Sequence, residues 1–222
     1  MTNTPHTPAA PSVARELLRA DDFERATAEV REAEREIAAL LIEGAQGEGA
    51  CLASLELSRS CIRRTTYHSS DFSHAMFQDV VFEECDFSNS DFTSSYFQRC
   101  TFTSCRFVGV DFSESAFKHV SAAESNFQYA TLAKASFDTC SFSDCDFSQA
   151  SLAESQLKYF DVSKCRLANV DFFRTSLRQV DLSDSDIAGF LVSDTFSELG
   201  GCIMDPYQAA SVARKLGIIV KE

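Results

Sequence analysis

The chain has 222 residues, of which 20 are Phe and none is Trp, and its 33 acidic and 20 basic residues give a formal net charge of -13. This charge argues against a nucleic-acid or anionic-membrane binder, because both need clustered Lys and Arg. No apolar run approaches the roughly 18 residues of a membrane span, and the N-terminus has neither a basic leader nor an apolar core. We therefore expect a cytoplasmic protein of about one domain, with no membrane segment and no nucleic-acid partner.

The first 49 residues predict a helical extension that precedes the main domain. Residues 1–12 carry no apolar pattern and are expected to form a disordered tail. Residues 13–49 form the extension itself, with a short helix compatible with 13–20 and a glycine-containing linker from Gly44 to Gly49.

An amphipathic helix is the main feature predicted for this extension. Asp21 and Glu24 have the spacing of a helix-capping box, and the residues that follow are apolar at gaps of three and four. This pattern predicts a helix over about 22–43. The helix either covers the end of the following domain, packs along it, or binds a partner protein.

A five-residue repeat dominates the rest of the chain. Every fifth residue from Leu52 to Val192 is apolar, which makes 29 consecutive positions without a register slip, and fifteen of the 20 Phe residues are among them. The residue two positions earlier is nearly always small, and the residue just before is often Asp or Asn. The repeating unit is thus a pentad of the form small–Asp/Asn–large–x–x.

A period of five fits neither an α-helix nor a flat β-strand. Every fifth residue would drift around a helix, and residues five apart would lie on opposite faces of a strand. The pattern requires a chain that turns a corner every five residues and points one large side chain inwards each time. Four such corners make a coil of 20 residues, and stacked coils would pair at the strand spacing of ~4.8 Å.

The pentads resemble those of the pentapeptide-repeat proteins. Representative units are Ser90-Asp91-Phe92-Thr93-Ser94 and Cys145-Asp146-Phe147-Ser148-Gln149. The resemblance implies an all-β solenoid, a right-handed quadrilateral β-helix over residues 50–196. Seven coils at ~4.8 Å would give a rod of roughly 35 Å.

The cysteines and histidines indicate no catalytic or metal chemistry. Six of the nine cysteines occupy the small position of a pentad, with spacings that are not those of zinc sites. Cysteine acts there as a small buried apolar residue with a free thiol. The four histidines have no spacing typical of a metal site or a catalytic dyad. We therefore expect a protein that is not an enzyme, with no catalytic residues, no bound metal and no cofactor.

The repeat gives way to a different element at the C-terminus, over residues 197–222. Asp205 is a good helix N-cap, Pro206 suits the first helical position, and Gly217 suits the C-terminal stop. The sequence predicts a helix over about 206–216 that caps the open end of the solenoid.

This end resembles the quinolone-resistance pentapeptide-repeat proteins of the Qnr and MfpA type. Those proteins end in a similar Tyr-Gln-Ala helix followed by Leu-Gly-Ile, which here are Tyr207-Gln208-Ala209 and Leu216-Gly217-Ile218. The resemblance implies a homodimer through this end; a plain monomeric cap is the alternative. The expected dimerisation residues are Tyr207, Val212, Leu216, Ile218, Ile219 and Val220.

The resemblance also implies a function for the acidic charge. Residues 71–195 hold 19 acids and 9 bases. Qnr- and MfpA-type rods mimic duplex DNA, bind DNA gyrase or topoisomerase IV, and modulate the enzyme or protect it from quinolones. The expected enzyme-facing strip consists of Glu84, Asp86, Glu124, Asp144, Asp146, Asp184 and Asp186.

Two plainer interpretations of the rod remain open. Asp before the large residue suits the turn, and acidic charge keeps any solenoid soluble. The alternative function is a non-catalytic scaffold or adaptor that holds another protein on its faces.

Overall fold

The protein is a parallel β-solenoid. The structure is a computed structural model, and it describes residues 6–20 and 37–221. Neighbouring strands are parallel, and residues 20 apart are paired throughout the repeat, for example Tyr96 with Met76 and Thr101 with Val81. Four pentads therefore complete one coil, and the predicted all-β solenoid is confirmed.

The strands are short, because the chain turns after each pentad. They are β1 Leu18–Ala20, β2 Ile37–Ala38, β3 Leu40–Glu43, β4 Gln46–Glu48, β5 Glu56–Ser58, β6 Cys61–Arg63, β7 Thr66–His68, β8 Met76–Gln78, β9 Val81–Glu83, β10 Tyr96–Gln98, β11 Thr101–Thr103, β12 Ala116–Lys118, β13 Ser121–Ala123, β14 Ser136–Ser143 and β15 Gln156–Ser163. A 3-10 turn at Ser197–Leu199 and helix α1, Pro206–Lys215, complete the fold.

Each coil has four faces, which we number by the inward residues Phe72, Phe77, Phe82 and Phe87 as faces 1 to 4. All four side chains are buried. The last residue of nearly every pentad has a positive φ, such as 57° at Asp79, and this left-handed backbone turns the chain into the next face. Faces 2 and 3 carry most of the strands, because their residues are extended.

The polar residues of the pentad satisfy the backbone at these corners. The Asp91 carboxylate accepts a hydrogen bond from the Thr93 N–H at 2.7 Å, and Asp71, Asp111 and Asp171 do the same two residues ahead. In the small position, the Ser95 hydroxyl donates to the Phe72 carbonyl at 2.9 Å. The predicted role of Asp in the turn is therefore confirmed.

Phenylalanine stacks form the core. Rings 20 residues apart lie parallel, with centroids 5.0 Å apart for Phe97 and Phe117 and 4.9 Å for Phe117 and Phe137. Rings on adjacent faces meet edge to face, as in Phe72 and Phe87 at 5.5 Å. Each such pair contributes about 0.5–1.5 kcal/mol beyond its area burial. The stacks are longest between Phe72 and Phe147, with a break at Ala122 on face 3.

The solenoid begins earlier than its predicted start at residue 50, so the prediction of a helix over 22–43 is wrong for residues 37–43. That part of the chain forms β2 and β3, which pair with β5 and β6. Residues 22–36 of the predicted helix lie outside the described residues. Ile37 and Ile42 continue the five-residue series backwards, and the ladder hydrogen bonds of the solenoid outweigh the local helical pattern.

The predicted linker from Gly44 to Gly49 is likewise part of the first coil. Both glycines take the left-handed corner position, with φ of 71° and 65°. Gly47 falls where the series requires a large residue, and a Cβ there would overlap the ring of Tyr67. Tyr67, which is buried, fills the space that Gly47 leaves, so the core continues across this break in the pattern.

The N-terminal residues are also placed differently from the prediction. Residues 13–20 form no helix, and β1 pairs with β3 in an offset of 22 residues, Leu18 opposite Leu40. Residues 6–12 lie against the rod instead of forming a disordered tail: the Ser12 N–H donates to the Asp79 carboxylate at 2.9 Å. Residues 1–5 lie outside the described part of the chain.

The C-terminal helix forms as predicted. The Asp205 carboxylate accepts hydrogen bonds from the N–H groups of Tyr207 and Gln208, and the Gln208 side-chain oxygen accepts one from the Asp205 N–H. The same Gln208 amide donates to the carbonyls of Leu182 and Ser185 at 2.8 Å, which fixes the helix on the last coils. No helix within the described ranges is long and apolar enough to cross a membrane.

The six cysteines in small positions are buried free thiols, as predicted. Cys100 donates to the carbonyls of Phe77 and Gln98. Burial raises the pKa of both Cys100 and Cys140 to about 12, so these thiols stay protonated at neutral pH. Cysteine thus fills the same slot as Ala and Ser and donates to the same kind of carbonyl.

Candidate functional site

The corner between faces 3 and 4 carries exposed carboxylates, and we call it the acidic corner. From residue 84 onwards its column consists of Glu84, Ser104, Glu124, Asp144, Lys164 and Asp184, and the two earlier coils place Gly44 and Arg64 at the same corner. The four acids are exposed, and the Ser104 hydroxyl contacts Glu124 at 3.2 Å across adjacent coils. The predicted alignment of these acids at intervals of 20 or 40 residues is therefore what the register produces.

The remaining members of the predicted strip lie in a second column at the start of face 4. Its residues pair in sequence as Asp86, Arg106, Asn126, Asp146, Arg166 and Asp186. Two of the six side chains are basic, so this column is less acidic than the corner beside it.

The strongest neutralisation in the second column is at Asp86. Its carboxylate lies 3.2 Å from Nε of Arg106 and 3.2 Å from Nε2 of His68. Partial burial opposes ionisation, but hydrogen bonds from Ser88 and His68 outweigh it and lower the pKa of Asp86. Asp86 is thus a half-buried structural carboxylate and contributes less to the surface charge than its neighbours at the corner.

Two further acids extend this surface onto face 3. Asp161 and Asp181 occupy one column 20 residues apart, next to Asp184. Burial raises the pKa of the Asp161 carboxyl, and the charges of Asp184 and Asp181 raise it further. The repeated Asp in that column was visible in the sequence, but which columns meet around a corner depends on the folded coil.

A separate acidic ladder runs along face 1. Asp71, Asp91 and Asp111 pair directly with one another on successive coils. Each carboxylate accepts the N–H two residues ahead, at 2.7 to 2.9 Å. These acids stabilise their own turns, so they have a structural role in addition to their charge.

The C-terminal end presents apolar side chains to solvent. Tyr207 is 86% exposed and Ile219 is 87% exposed, and Leu216 and Ile218 are more than half exposed. Val212 is half-buried against the core, and Val220 is also half-buried. The structure thus brings most of the predicted dimerisation residues to one uncovered end of the rod.

The acidic side chains of the described chain form no metal site, and one buried carboxylate has a structural role. Within residues 6–20 and 37–221, no group of three His, Cys, Asp or Glu side chains is arranged to hold a metal ion. The buried Glu198 at the C-terminal cap accepts from the Arg174 N–H, the Ser193 N–H and the Ser193 hydroxyl. That carboxylate is fully used in fixing the 3-10 turn to the rod.

Comparison with known families agrees with this architecture. The family described as a pentapeptide repeat region matches residues 75–145 and 94–159, and that described as pentapeptide repeats in eight copies matches residues 145–189. Together these matches run from 75 to 189, slightly more than half of the chain. The chain is a pentapeptide-repeat protein.

Solved structures show the same fold. A trypsin-treated variant of QnrB1, a plasmid-mediated fluoroquinolone resistance protein, is 21% identical, with a TM-score of 0.67 over 93% of this pentapeptide-repeat chain and 99% of that one. A second trypsin-treated QnrB1 variant is also 21% identical, with a TM-score of 0.60 over 93% and 98% of the two chains. Comparison with curated protein sequences gives no match.

Proposed function

We propose that this pentapeptide-repeat protein binds a type II topoisomerase, DNA gyrase or topoisomerase IV, in the place of DNA. Binding modulates the enzyme or protects it from quinolones. The observation that carries the proposal is the acidic corner, a column with four exposed carboxylates, interrupted by Ser104 and Lys164, along a rod whose fold is that of a fluoroquinolone resistance protein. The protein acts as a ligand and needs no cofactor for this role.

The spacing of the carboxylates supports mimicry of pattern. Acids one or two coils apart lie ~4.8 or ~9.6 Å apart along the axis. Duplex DNA carries one charge per ~1.7 Å, so the rod is less densely charged than the molecule it would replace. An enzyme surface built for DNA would therefore recognise the shape of the rod and the line of charge along one corner, and association would weaken as salt is raised.

The exposed C-terminal end supports a homodimer with two such rods end to end. Single exposed apolar residues are ordinary on a protein surface, but Tyr207, Leu216, Ile218 and Ile219 are grouped on and just after one short helix. Light scattering should give the mass of a dimer for the native protein and of a monomer for Leu216→Asp/Ile219→Asp. Met76→Asp, which changes an exposed residue on face 2, is the matched control and should stay dimeric. A monomeric native protein would contradict this part of the proposal.

The test of function is DNA supercoiling by purified gyrase, with and without ciprofloxacin, in the presence of the native protein. We expect either inhibition or protection from the drug. The variant Glu84→Lys/Glu124→Lys/Asp144→Lys reverses three exposed charges of the acidic corner and should lose the effect and the binding to gyrase. The corner already holds Lys164 in the same left-handed conformation, so lysine fits the backbone.

The matched control carries the same change in charge on the diagonally opposite corner, between faces 1 and 2. Glu114→Lys/Glu154→Lys/Asp194→Lys also changes three exposed acids and should keep the effect of the native protein. Equal loss in both variants would show that only net charge matters. A native protein that neither inhibits nor protects gyrase or topoisomerase IV would favour the scaffold function.

A further inference from the structure

The corner between faces 2 and 3 is covered by the chain's own N-terminus. We call its column, Ala39, Arg59, Asp79, Arg99, His119, Thr139, Tyr159 and Gln179, the strap corner, and we call residues 6–14 the strap. The strap runs antiparallel to the sequence order of the coils, so that its C-terminal end contacts an early coil and its N-terminal end contacts a late one. The Ala14 N–H donates to the Arg59 carbonyl at 3.1 Å, and the His6 ring lies 3.7 Å from the Tyr159 ring, centroid to centroid.

The register of these contacts matches an extended polyproline-type chain. Ser12 contacts Asp79, Ala9 contacts His119 through a long 3.4 Å hydrogen bond, and His6 contacts Tyr159. Each step is three residues of the strap and 40 residues, or two coils, of the rod. Three residues of polyproline II rise about 9.3 Å, and two coils rise about 9.6 Å, so the two repeats are commensurate.

Burial along the strap has the same period. Pro8, Pro11 and Ala14 are half-buried, with Val13 beside them, whereas His6, Thr7, Ala9, Ala10 and Ser12 are exposed. Proline fixes φ near the polyproline value and lowers the entropy cost of holding this conformation. A small residue or proline thus faces the corner at every third position.

The corner has chemistry that suits such a ligand. Asp79 is only 4% exposed, and its carboxylate accepts two hydrogen bonds from the Arg99 guanidinium, at 2.7 and 2.6 Å, besides that from Ser12. Asp79 is thereby held in place to receive a backbone N–H of the strap. Backbone donors carry these contacts, so recognition depends on an extended conformation more than on particular side chains.

The surface of the rod beside His6 and Pro8 is irregular because the pentad pattern breaks there. Phe160 takes the small position of its pentad and packs on Phe137 and Phe142. Leu157 in the same coil is only half-buried, whereas its counterparts from Leu57 to Phe137 and at Leu177 are buried. A cavity of about 690 Å³ opens between Pro8, Tyr159 and Gln179.

We propose that the strap corner is a recognition groove for extended, proline-containing peptide segments, and that residues 6–14 are its intramolecular ligand. A partner protein with proline or another small residue at every third position of an extended segment would bind here by displacing the strap. This proposal is independent of topoisomerase binding, which concerns the acidic corner.

The test uses the full-length chain with its backbone donors removed. Ala9→Pro/Ser12→Pro deletes two N–H groups that contact His119 and Asp79, yet proline keeps the extended conformation. The matched control, Thr7→Pro/Ala10→Pro, adds the same number of prolines at neighbouring exposed positions and retains those donors. The probe is a fluorescent synthetic peptide of residues 1–16, whose binding is measured by fluorescence anisotropy. The second measurement is the hydrogen-exchange rate of the Ala14 amide.

We expect the peptide to bind Ala9→Pro/Ser12→Pro at least tenfold more tightly than the native protein or the control, because only that variant leaves the groove open. Exchange of the Ala14 amide should accelerate in the same variant alone. Adding Tyr159→Ala should weaken peptide binding, whereas adding Tyr129→Ala, which removes an exposed tyrosine in the same left-handed conformation on another corner, should not. Equal peptide binding by all variants, or unchanged exchange at Ala14, would overturn the proposal.

Discussion

The acidic corner and the strap corner share one backbone geometry and differ in what covers them. Both place residues of nearly every coil in the left-handed conformation, as at Glu84 with φ 52° and Asp79 with φ 57°. The carboxylate of Glu84 is exposed, while that of Asp79 is buried beneath residue 12 and paired with Arg99. The comparison teaches that the repeat fixes the backbone position of each corner residue. The residues packed around it then determine whether its side chain is exposed or buried.

The two corners also rest on a common interior, which sets the largest expected effect. Phe117 stacks between Phe97 and Phe137 on face 2 and is buried in the interior that all four faces enclose. Phe117→Ala should reduce the free energy of unfolding by about 3–5 kcal/mol, because it leaves a cavity in a close-packed stack. Urea denaturation at fixed protein concentration measures the change. A loss below about 1 kcal/mol would contradict the continuity of the stack.

The next largest expected effect is a loss of stability that should differ between the strap corner and the acidic corner. Asp79→Ala removes the buried partner of Arg99 and should cost about 1–3 kcal/mol of stability, since hydrogen bonds to charged groups are lost. Asp144→Ala at the exposed acidic corner is the matched variant and should change stability by less than about 0.5 kcal/mol. Denaturation of the two variants side by side makes the comparison, and equal losses would show that burial under the strap contributes nothing.

Lowering the pH should reduce the difference in stability between Asp79→Ala and the native protein. Hydrogen bonds from Arg99 outweigh burial and, with that from the Ser12 N–H, lower the pKa of Asp79. A carboxyl with a lowered pKa stabilises the folded chain at neutral pH, and the contribution is lost as the pH falls through the folded value. The advantage of the native protein over Asp79→Ala should therefore shrink on acidification, as unfolding measured at a series of pH values would show.

The sequence predicted most of the rod and part of its candidate site. The pentad register placed Phe72 to Phe117 in the core, and it placed Glu84, Glu124 and Asp144 in one column. It missed the first coil because Gly47 interrupts the apolar series, although the Tyr67 ring replaces the missing side chain. It also missed that His68 contacts the Asp86 carboxylate, because these residues are 18 apart and do not share a column of the 20-residue register.

By itself, the sequence determined the solenoid, its inward residues and its C-terminal helix, because each depends on local signals repeated every five residues or concentrated at a helix end. Only the tertiary structure decided that residues 6–14 cover the strap corner while the carboxylates of the acidic corner are exposed. Those contacts join residues 67 and 110 positions apart through backbone N–H groups, as in Ser12 with Asp79 and Ala9 with His119. Backbone donors are present at every non-proline residue, so the spacing of the folded coils decides which partner each donor of the strap meets.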